Sequence, residues 1–259
     1  REAWLAGEIS LPENDLSQSN HAAKAAATFQ NGLLHFTHTL RQIRPQTDKL
    51  LFVNEDTFNP DRTAGFEKHV KHMIAKGQTP DGCGFQSHFS DYAIPAIDEE
   101  WQIYERFGKL VKYLTVTEYD LQTLDDQLHA DHLRDMMTLC FSHPQMTGFV
   151  IWGFWEKRHW KPTAAGIMHF KNDRTERPAV QVGRDPVKGK WWTRADLAAD
   201  AKGEADTSAY YGWYDITLEH GGKTKTFEVK HATNGGKPTL KLEKVVSGSL
   251  RGFAVAESI

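Results

Sequence analysis

The segment YLTVTEYD, residues 113–120, decides the predicted fold of this chain. Its first five residues, Tyr113 to Thr117, are rich in β-branched and aromatic side chains, which favour a buried strand. Two carboxylates, Glu118 and Asp120, follow where that strand should end. A strand that delivers polar side chains at its end is typical of the functional edge of a parallel α/β sheet.

Units of helix and strand occur on both sides of this segment. Apolar runs, each followed by polar or aromatic side chains, predict further strands at residues 50–53, 82–86 and 148–152. Amphipathic spacing predicts helices over residues 21–44, 64–76, 97–108 and 130–140. Strands that alternate with helices predict an α/β fold with a parallel sheet. Since a complete (β/α)8 barrel needs eight strands and about 250 residues, this pattern predicts a partial (β/α)8 TIM barrel.

Beyond Pro186 the sequence changes to the alternation of antiparallel β-structure. Residues 212–218 and 225–229 flank the turn Gly221-Gly222 and predict a hairpin, and residues 239–243 alternate like another half-buried strand. We therefore expect residues 1–190 to form the partial barrel and residues 191–259 a small antiparallel β-sandwich. The aromatic residues expected in the core of this module, rather than on a carbohydrate-binding platform, are Tyr210, Tyr211, Trp213 and Tyr214.

Composition excludes several classes of function. The chain has 259 residues and a net charge of -3 from interspersed acids and bases, so no basic stripe indicates a nucleic-acid partner. No run of about 18 apolar residues indicates a membrane-spanning helix. Cys83 and Cys140 match no metal-ligand or redox spacing, and His69 with His72 is a coincidence of spacing. We therefore predict no metal and no other cofactor.

The candidate functional residues are the polar and aromatic side chains at the predicted strand ends. They are Asn54, Gln86, His88, Glu118, Asp120, Trp152 and Trp160. The C-terminal ends of barrel strands form one face, so these side chains could converge on one cleft. Glycosidic cleavage needs a carboxylate beside an oxocarbenium-like transition state, and a sugar ring is held by stacking and hydrogen bonds. The alternatives are that Glu118 caps a helix or pairs with Arg134, and that the tryptophans belong to the core.

Four segments occur in the order found in glycoside hydrolase family 10, and the chain resembles that family over roughly residues 22–182. They are LFVN (51–54), GFQSH (84–88), TEYD (117–120) and GFVIWG (148–153). The resemblance implies the last four β/α units of the barrel. It also implies a retaining endo-β-1,4-xylanase, secreted or periplasmic, that acts on a polysaccharide without a cofactor.

Individual roles are implied by the same resemblance. Glu118 is implied to be the nucleophile that forms the glycosyl-enzyme intermediate, with His88 hydrogen-bonded to it and Asp120 nearby. The two tryptophans are implied to wall the subsite that holds the non-reducing sugar, and the amide side chains to line the same cleft. The substrate-binding residues implied in this way are Asn54, Gln86, Trp152 and Trp160.

One segment of the family pattern has no counterpart in this sequence. The family's acid/base glutamate lies in a Trp-Asp-x-x-Asn-Glu segment, and neither Glu8 nor Glu13 stands in that motif. A retaining mechanism needs two carboxyl groups about 5 to 5.5 Å apart, so we expect the chain alone, whether a fragment or a natural truncation, to be impaired. The alternatives are a non-catalytic carbohydrate-binding or structural remnant, or a preference for another polysaccharide. Open strand edges and an uncovered apolar interior predict poor solubility or self-association.

Overall fold

A computed structural model of the chain describes residues 35–57, 59–160, 171, 173–231, 239–244 and 250–255, the last two ranges by their backbone alone. The chain divides into two compact units, Arg1–Ala179 and Val180–Ile259. This division lies upstream of residue 190, where the sequence predicts a domain boundary, and that boundary stays a prediction.

The first unit alternates strands with helices along the chain. Its helices are α1 (35–43), α2 (Pro60–Ala75), α3 (Ile97–Gly108), α4 (Asp126–Ser142) and the start of α5 (Pro178–Asp185). Its strands are β1 (Phe52–Glu55), β2 (Gly82–Phe85), β3 (His88–Ser90), β4 (Tyr113–Gln122) and β5 (Met146–Ile151). The part of the predicted first helix that precedes residue 35 lies outside the described residues.

The strand pairs described in this unit are parallel, with β1, β2, β4 and β5 side by side in chain order. This arrangement confirms the predicted partial barrel of four β/α units. The predicted strand over residues 82–86 ends at Phe85, and after Gln86 and Ser87 the short β3 continues along β4. Strand β4 runs to Gln122, beyond the predicted end, because β3 gives its second half a hydrogen-bonding partner.

The two faces of the sheet differ in composition. On the face covered by helices, Val53, Phe85 and Leu114 are buried, and the Phe85 ring packs against those of Tyr104 and Phe107 with centroids 4.9 and 5.2 Å apart. The opposite face carries the partly exposed Asn54, Thr115 and Thr117 together with the exposed Phe52 and Val150. The sequence predicts an uncovered apolar interior; this face is instead a mixture of polar and apolar side chains.

Both cysteines, Cys83 and Cys140, are buried free thiols. Among the residues described, no helix combines the length and hydrophobicity that a membrane crossing requires. The same residues contain no group of three or more histidine, cysteine, aspartate or glutamate side chains arranged to hold a metal ion.

The second unit contains two antiparallel hairpins, which confirms the appended antiparallel β-structure. Strands β6 (Gly212–His220) and β7 (Lys223–His231) pair around Gly221 and Gly222, whose φ angles of 58° and 73° fit a tight hairpin turn. Strands β8 (Thr239–Lys244) and β9 (Leu250–Val255) form the other hairpin. The expected core role of three tail aromatics is wrong, because they are exposed by 44, 62 and 65%: Tyr210, Tyr211 and Trp213.

Candidate active site

Strand β4 delivers both carboxylates of the candidate site. Its pairing with β5 shifts register between Val116 and Tyr119, so a bulge lies at Thr117 and Glu118. A bulge re-aims side chains that a regular strand would send to opposite faces. Both residues accordingly reach the same partner: the Thr117 hydroxyl donates to Oδ1 of Asn54 at 2.7 Å, and Nδ2 of Asn54 donates to Oε1 of Glu118 at 3.0 Å.

Asn54 can reach Glu118 only because the strand between them carries a glycine. Asn54 lies on β1 and Glu118 on β4, and Gly84 of β2 is paired with Asn54 in register. A Cβ atom at Gly84 would lie 2.6 Å from Oδ1 of Asn54 and 2.9 Å from Cγ2 of Thr117. Because Gly84 has no side chain, the Asn54 amide can occupy the space above it.

His88 joins the two carboxylates. It follows Ser87, whose φ of 62° turns the backbone between β2 and β3. The His88 Nε2 atom lies 3.4 Å from Oε2 of Glu118, and its Nδ1 atom lies 2.9 Å from Oδ2 of Asp120. Burial alone would lower the pKa of His88, but the interaction with Asp120 and the negative charges of Asp120 and Glu118 outweigh it and raise that pKa.

Asp120 is the most buried member of this group. Its side chain is 0% exposed, whereas that of Glu118 is 17% exposed. The indole Nε1 of Trp160 donates to Oδ2 of Asp120 at 2.9 Å, and Nε2 of His159 lies 3.7 Å from the same oxygen. The side chains that surround the buried Asp120 and the more accessible Glu118 thus come from β1, β3 and the loop after β5. They are Asn54, His88, His159 and Trp160.

The two predicted tryptophans stand beside His88 and are open to solvent. Trp152 and Trp160 are 44 and 52% exposed, and their ring centroids lie 6.5 and 5.2 Å from that of His88. The alternative that they belong to the core is therefore wrong. Trp155, in the same loop, is only partly buried, and the guanidinium of Arg174 lies 5.1 Å from its ring centroid.

An ion-pair cluster ties the loop that carries the tryptophans to the rest of the unit. Arg177 is 92% buried and binds both Asp126, at the start of α4, and Glu156, in the loop after β5. Lys171 adds a contact to Asp126 at 3.3 Å. Glu156 is therefore ion-paired.

The remaining predicted residues have different outcomes. Gln86 lies at the end of β2, where its backbone N–H donates to the carbonyl of Glu55 at 3.1 Å, and its role in the cleft stays a prediction. Arg134 pairs with Asp131 and Asp135, so its suggested pairing with Glu118 is wrong. Glu8 and Glu13 lie outside the described residues.

Two members of the site were missed by the sequence analysis. Gly84 belongs to the segment GFQSH, but only the pairing of three neighbouring strands reveals that Asn54 needs its space. His159 approaches the same carboxylate as Trp160. Its signal in the sequence is its position directly before Trp160.

Comparison with known proteins gives a consistent family match. The model of glycosyl hydrolase family 10 matches residues 35–185. The anti-sigma-I factor RsgI6 of Acetivibrio thermocellus is 32% identical over 174 residues, which are 66% of this chain and 22% of that protein. Endo-1,4-beta-xylanase 1 of Arabidopsis thaliana is 27% identical over 217 residues, 79% of this chain and 22% of that protein.

Solved structures show the same fold at lower identity. A psychrophilic family 10 endo-β-1,4-xylanase superposes with a TM-score of 0.53 at 20% identity, covering 58% of this chain and 50% of that one. Xylanase 10B of Thermotoga petrophila gives a TM-score of 0.53 at 20% identity, covering 60% and 51%. The chain thus spans about half the length of these solved xylanases and 22% of the curated relatives named above.

Proposed function

The chain belongs to glycosyl hydrolase family 10, and we propose that it is a retaining glycoside hydrolase that cleaves β-1,4-xylosidic bonds in xylan with Glu118 as its nucleophile. The observation that carries this proposal is the placement of Glu118 at the C-terminal end of a parallel sheet. One of its carboxylate oxygens accepts a hydrogen bond from Asn54, and the other faces His88. The xylanases among the relatives support the substrate class.

In the first step of this proposal, one bond to the anomeric carbon forms and another breaks. The Glu118 carboxylate attacks that carbon, a carbon–oxygen ester bond forms, and the glycosidic oxygen leaves with the electron pair of the broken bond. Water then hydrolyses the ester and restores the carboxylate. Asn54 and His88 fix both oxygens of Glu118, and the raised pKa of His88 favours a positive charge that stabilises the ionised nucleophile. Trp152 and Trp160 offer aromatic faces for the sugar.

An activated aryl xyloside tests the nucleophile separately from the acid/base group. Its phenolate leaves without a proton, so the first step needs only Glu118. We expect a burst of phenolate that is absent in Glu118→Ala. Glu105→Ala is the matched control, because it removes a half-exposed glutamate on α3 and should keep the burst.

The impairment of the chain alone follows from the same chemistry. Natural xylan has a poor leaving group that must be protonated as it departs. We propose that the chain turns over xylan much more slowly than the activated xyloside. Equal rates on both substrates would contradict this part of the proposal.

A second candidate function is carbohydrate binding without catalysis. It is supported by the relative that is named an anti-sigma factor rather than a hydrolase, and by the exposed Trp152 and Trp160. Under this proposal xylo-oligosaccharides quench the tryptophan fluorescence of the chain, whereas the activated xyloside gives no burst. A burst that depends on Glu118 would reject it in favour of the hydrolase.

A further inference from the structure

A second histidine, His159 in the loop after β5, approaches the buried carboxylate of the site. Nδ1 of His88 lies 2.9 Å and Nε2 of His159 lies 3.7 Å from the same oxygen, Oδ2 of Asp120. The side chains of Asp120 and His159 are 0 and 2% exposed. A buried carboxylate needs compensation by positive charge or hydrogen bonds, because transfer from water is costly for an ion.

His159 is held in this position by its neighbours in the loop. The next residue, Trp160, donates its indole N–H to the same oxygen of Asp120, and the two rings have centroids 5.9 Å apart. Three residues earlier, Glu156 is fixed by its ion pair with the buried Arg177. Both ends of the segment are therefore anchored, which sets the distance between His159 and Asp120.

We propose that His159 is a second positioning residue of the site and that it shares the Asp120 carboxylate with His88, so that the two imidazoles bind protons as one coupled group. Two cations close to one buried anion repel each other, so a proton on either imidazole lowers the proton affinity of the other. When His88 is neutral, a proton on His159 keeps Asp120 compensated. The orientation of His88 toward Glu118 is then maintained over a wider pH range.

In the described part of the chain, other charged groups beside this pair lie on β4 and in the loop after β5. Glu118 on β4 faces Nε2 of His88 and favours a proton there. Glu156 and Arg158 flank His159 in the loop after β5, and the charge of Glu156 is balanced by Arg177. Asp120 is therefore the anion that both imidazoles share.

The test is an NMR titration of the whole chain with ring-labelled histidine, which requires no turnover. In the wild type we expect both imidazoles to titrate in two steps, since each reports the protonation of the other. In His159→Asn we expect a single step for His88 and a proton affinity about threefold or more higher, because the competing cation is gone. His143→Asn is the matched control: it removes another buried histidine with a carboxylate nearby, Glu105 at 3.5 Å, and should leave His88 unchanged.

Independent one-step titrations of His88 and His159 in the wild type would overturn the proposal, and so would an unchanged His88 in a folded His159→Asn. If that variant does not fold, the wild-type curves decide alone. The catalytic consequence of the coupling rests on the proposed function of Glu118. A coupled titration without a phenolate burst would support the sharing of Asp120 by the two histidines and reject Glu118 as the nucleophile.

Discussion

The two ends of the parallel sheet use their polar side chains for opposite purposes. At the amino end, Asp81 accepts hydrogen bonds from the Leu51 backbone at 2.7 Å and from the Arg44 guanidinium at 2.6 Å. Gln145 donates to the carbonyl of Gly108 at 2.9 Å. Each of these side chains forms a hydrogen bond with a backbone group of another segment, so polar contacts hold the segments at this end together.

At the carboxyl end, the polar side chains are bonded mainly to one another, and the backbone is strained. Ser87 has a φ of 62° without being glycine, a conformation that costs about 1 to 3 kcal/mol. The bulge at Glu118 adds a second irregularity. Strain of this kind persists where a ligand site needs it, whereas the opposite face of such a fold serves stability. The comparison therefore predicts that substitutions at the carboxyl end impair activity and those at the amino end impair folding.

Gly84→Ala at the carboxyl end is the strongest test of this difference between the two ends. The new methyl group would lie 2.6 Å from Oδ1 of Asn54 and would displace an amide that holds Glu118. We expect the rate of the phenolate burst to fall about 100-fold, since misplacing a catalytic group by an ångström has effects of this size. The amide can move toward solvent, so the free energy of unfolding should fall by only about 1 kcal/mol. Stopped-flow kinetics and urea unfolding measure the two effects.

Gly65→Ala is the control for this substitution. Gly65 lies inside α2 with nothing within 4 Å of its Cβ position. We expect a stability gain of about 0.5 to 1 kcal/mol, because alanine favours helix over glycine, and no change in the burst. If Gly84→Ala instead lost much stability and its folded fraction kept the wild-type burst rate, the carboxyl end would serve stability rather than activity.

Asp120→Asn should have the next largest effect. Without the carboxylate, burial dominates and the pKa of His88 falls, so the charge that steadies Glu118 is lost near neutral pH. We expect a roughly 10-fold slower burst, the usual effect of removing a residue that orients a catalytic group.

The stability of this variant should depend on pH with a definite sign. Because the pKa of His88 is raised in the folded chain, its contribution to stability is present below its unfolded value and is lost as pH rises through the folded value. The difference in unfolding free energy between wild type and Asp120→Asn should therefore be largest in mild acid and shrink at alkaline pH. A difference that grows with pH would contradict the assigned charge on His88.

The order and type of elements could be predicted from sequence because each strand is an apolar run and each helix is amphipathic. The parallel pairing followed from that pattern, but the register of the strands and the division between β2 and β3 could not be predicted. The predicted strand over residues 82–86 ends at Phe85, and Ser87, a non-glycine residue, adopts a positive φ before β3 begins. In the second unit, aromatic content suggested a core, yet Trp213 lies on the exposed side of β6.

The candidate site was accessible to sequence only through its motif residues. Asn54, His88, Glu118 and Asp120 are close together in the structure, as their places at strand ends suggest. The space above Gly84 could not be predicted, since it depends on the register of strands far apart in the chain. The acid/base glutamate of a retaining mechanism has no matching segment in this sequence, so the burst experiment tests Glu118 alone.

Asp81→Ala tests the amino end of the sheet. It removes the acceptor for both Leu51 and Arg44, so we expect a loss of about 1 to 2 kcal/mol in unfolding free energy and no change in the burst rate. Burial raises the pKa of Asp81, but the hydrogen bond from Leu51 and the Arg44 charge outweigh it and lower that pKa. The contribution is therefore present above the unfolded pKa and is lost as pH falls through the folded value. A slower burst at neutral pH would show that the two ends are coupled.

Arg134→Ala is the control for this comparison, and we expect it to have the smallest effect on stability and burst rate. Arg134 is 51% exposed on α4 and pairs with Asp131 at 2.5 Å and Asp135 at 2.8 Å. Exposed pairs of this kind contribute little to the free energy of unfolding, since solvent and salt screen them. Because none of these atoms contacts Glu118 in the described part of the chain, the burst rate should stay within about twofold of wild type. A large fall would favour the pairing of Arg134 with Glu118 and contradict the proposed position of Glu118 in the site.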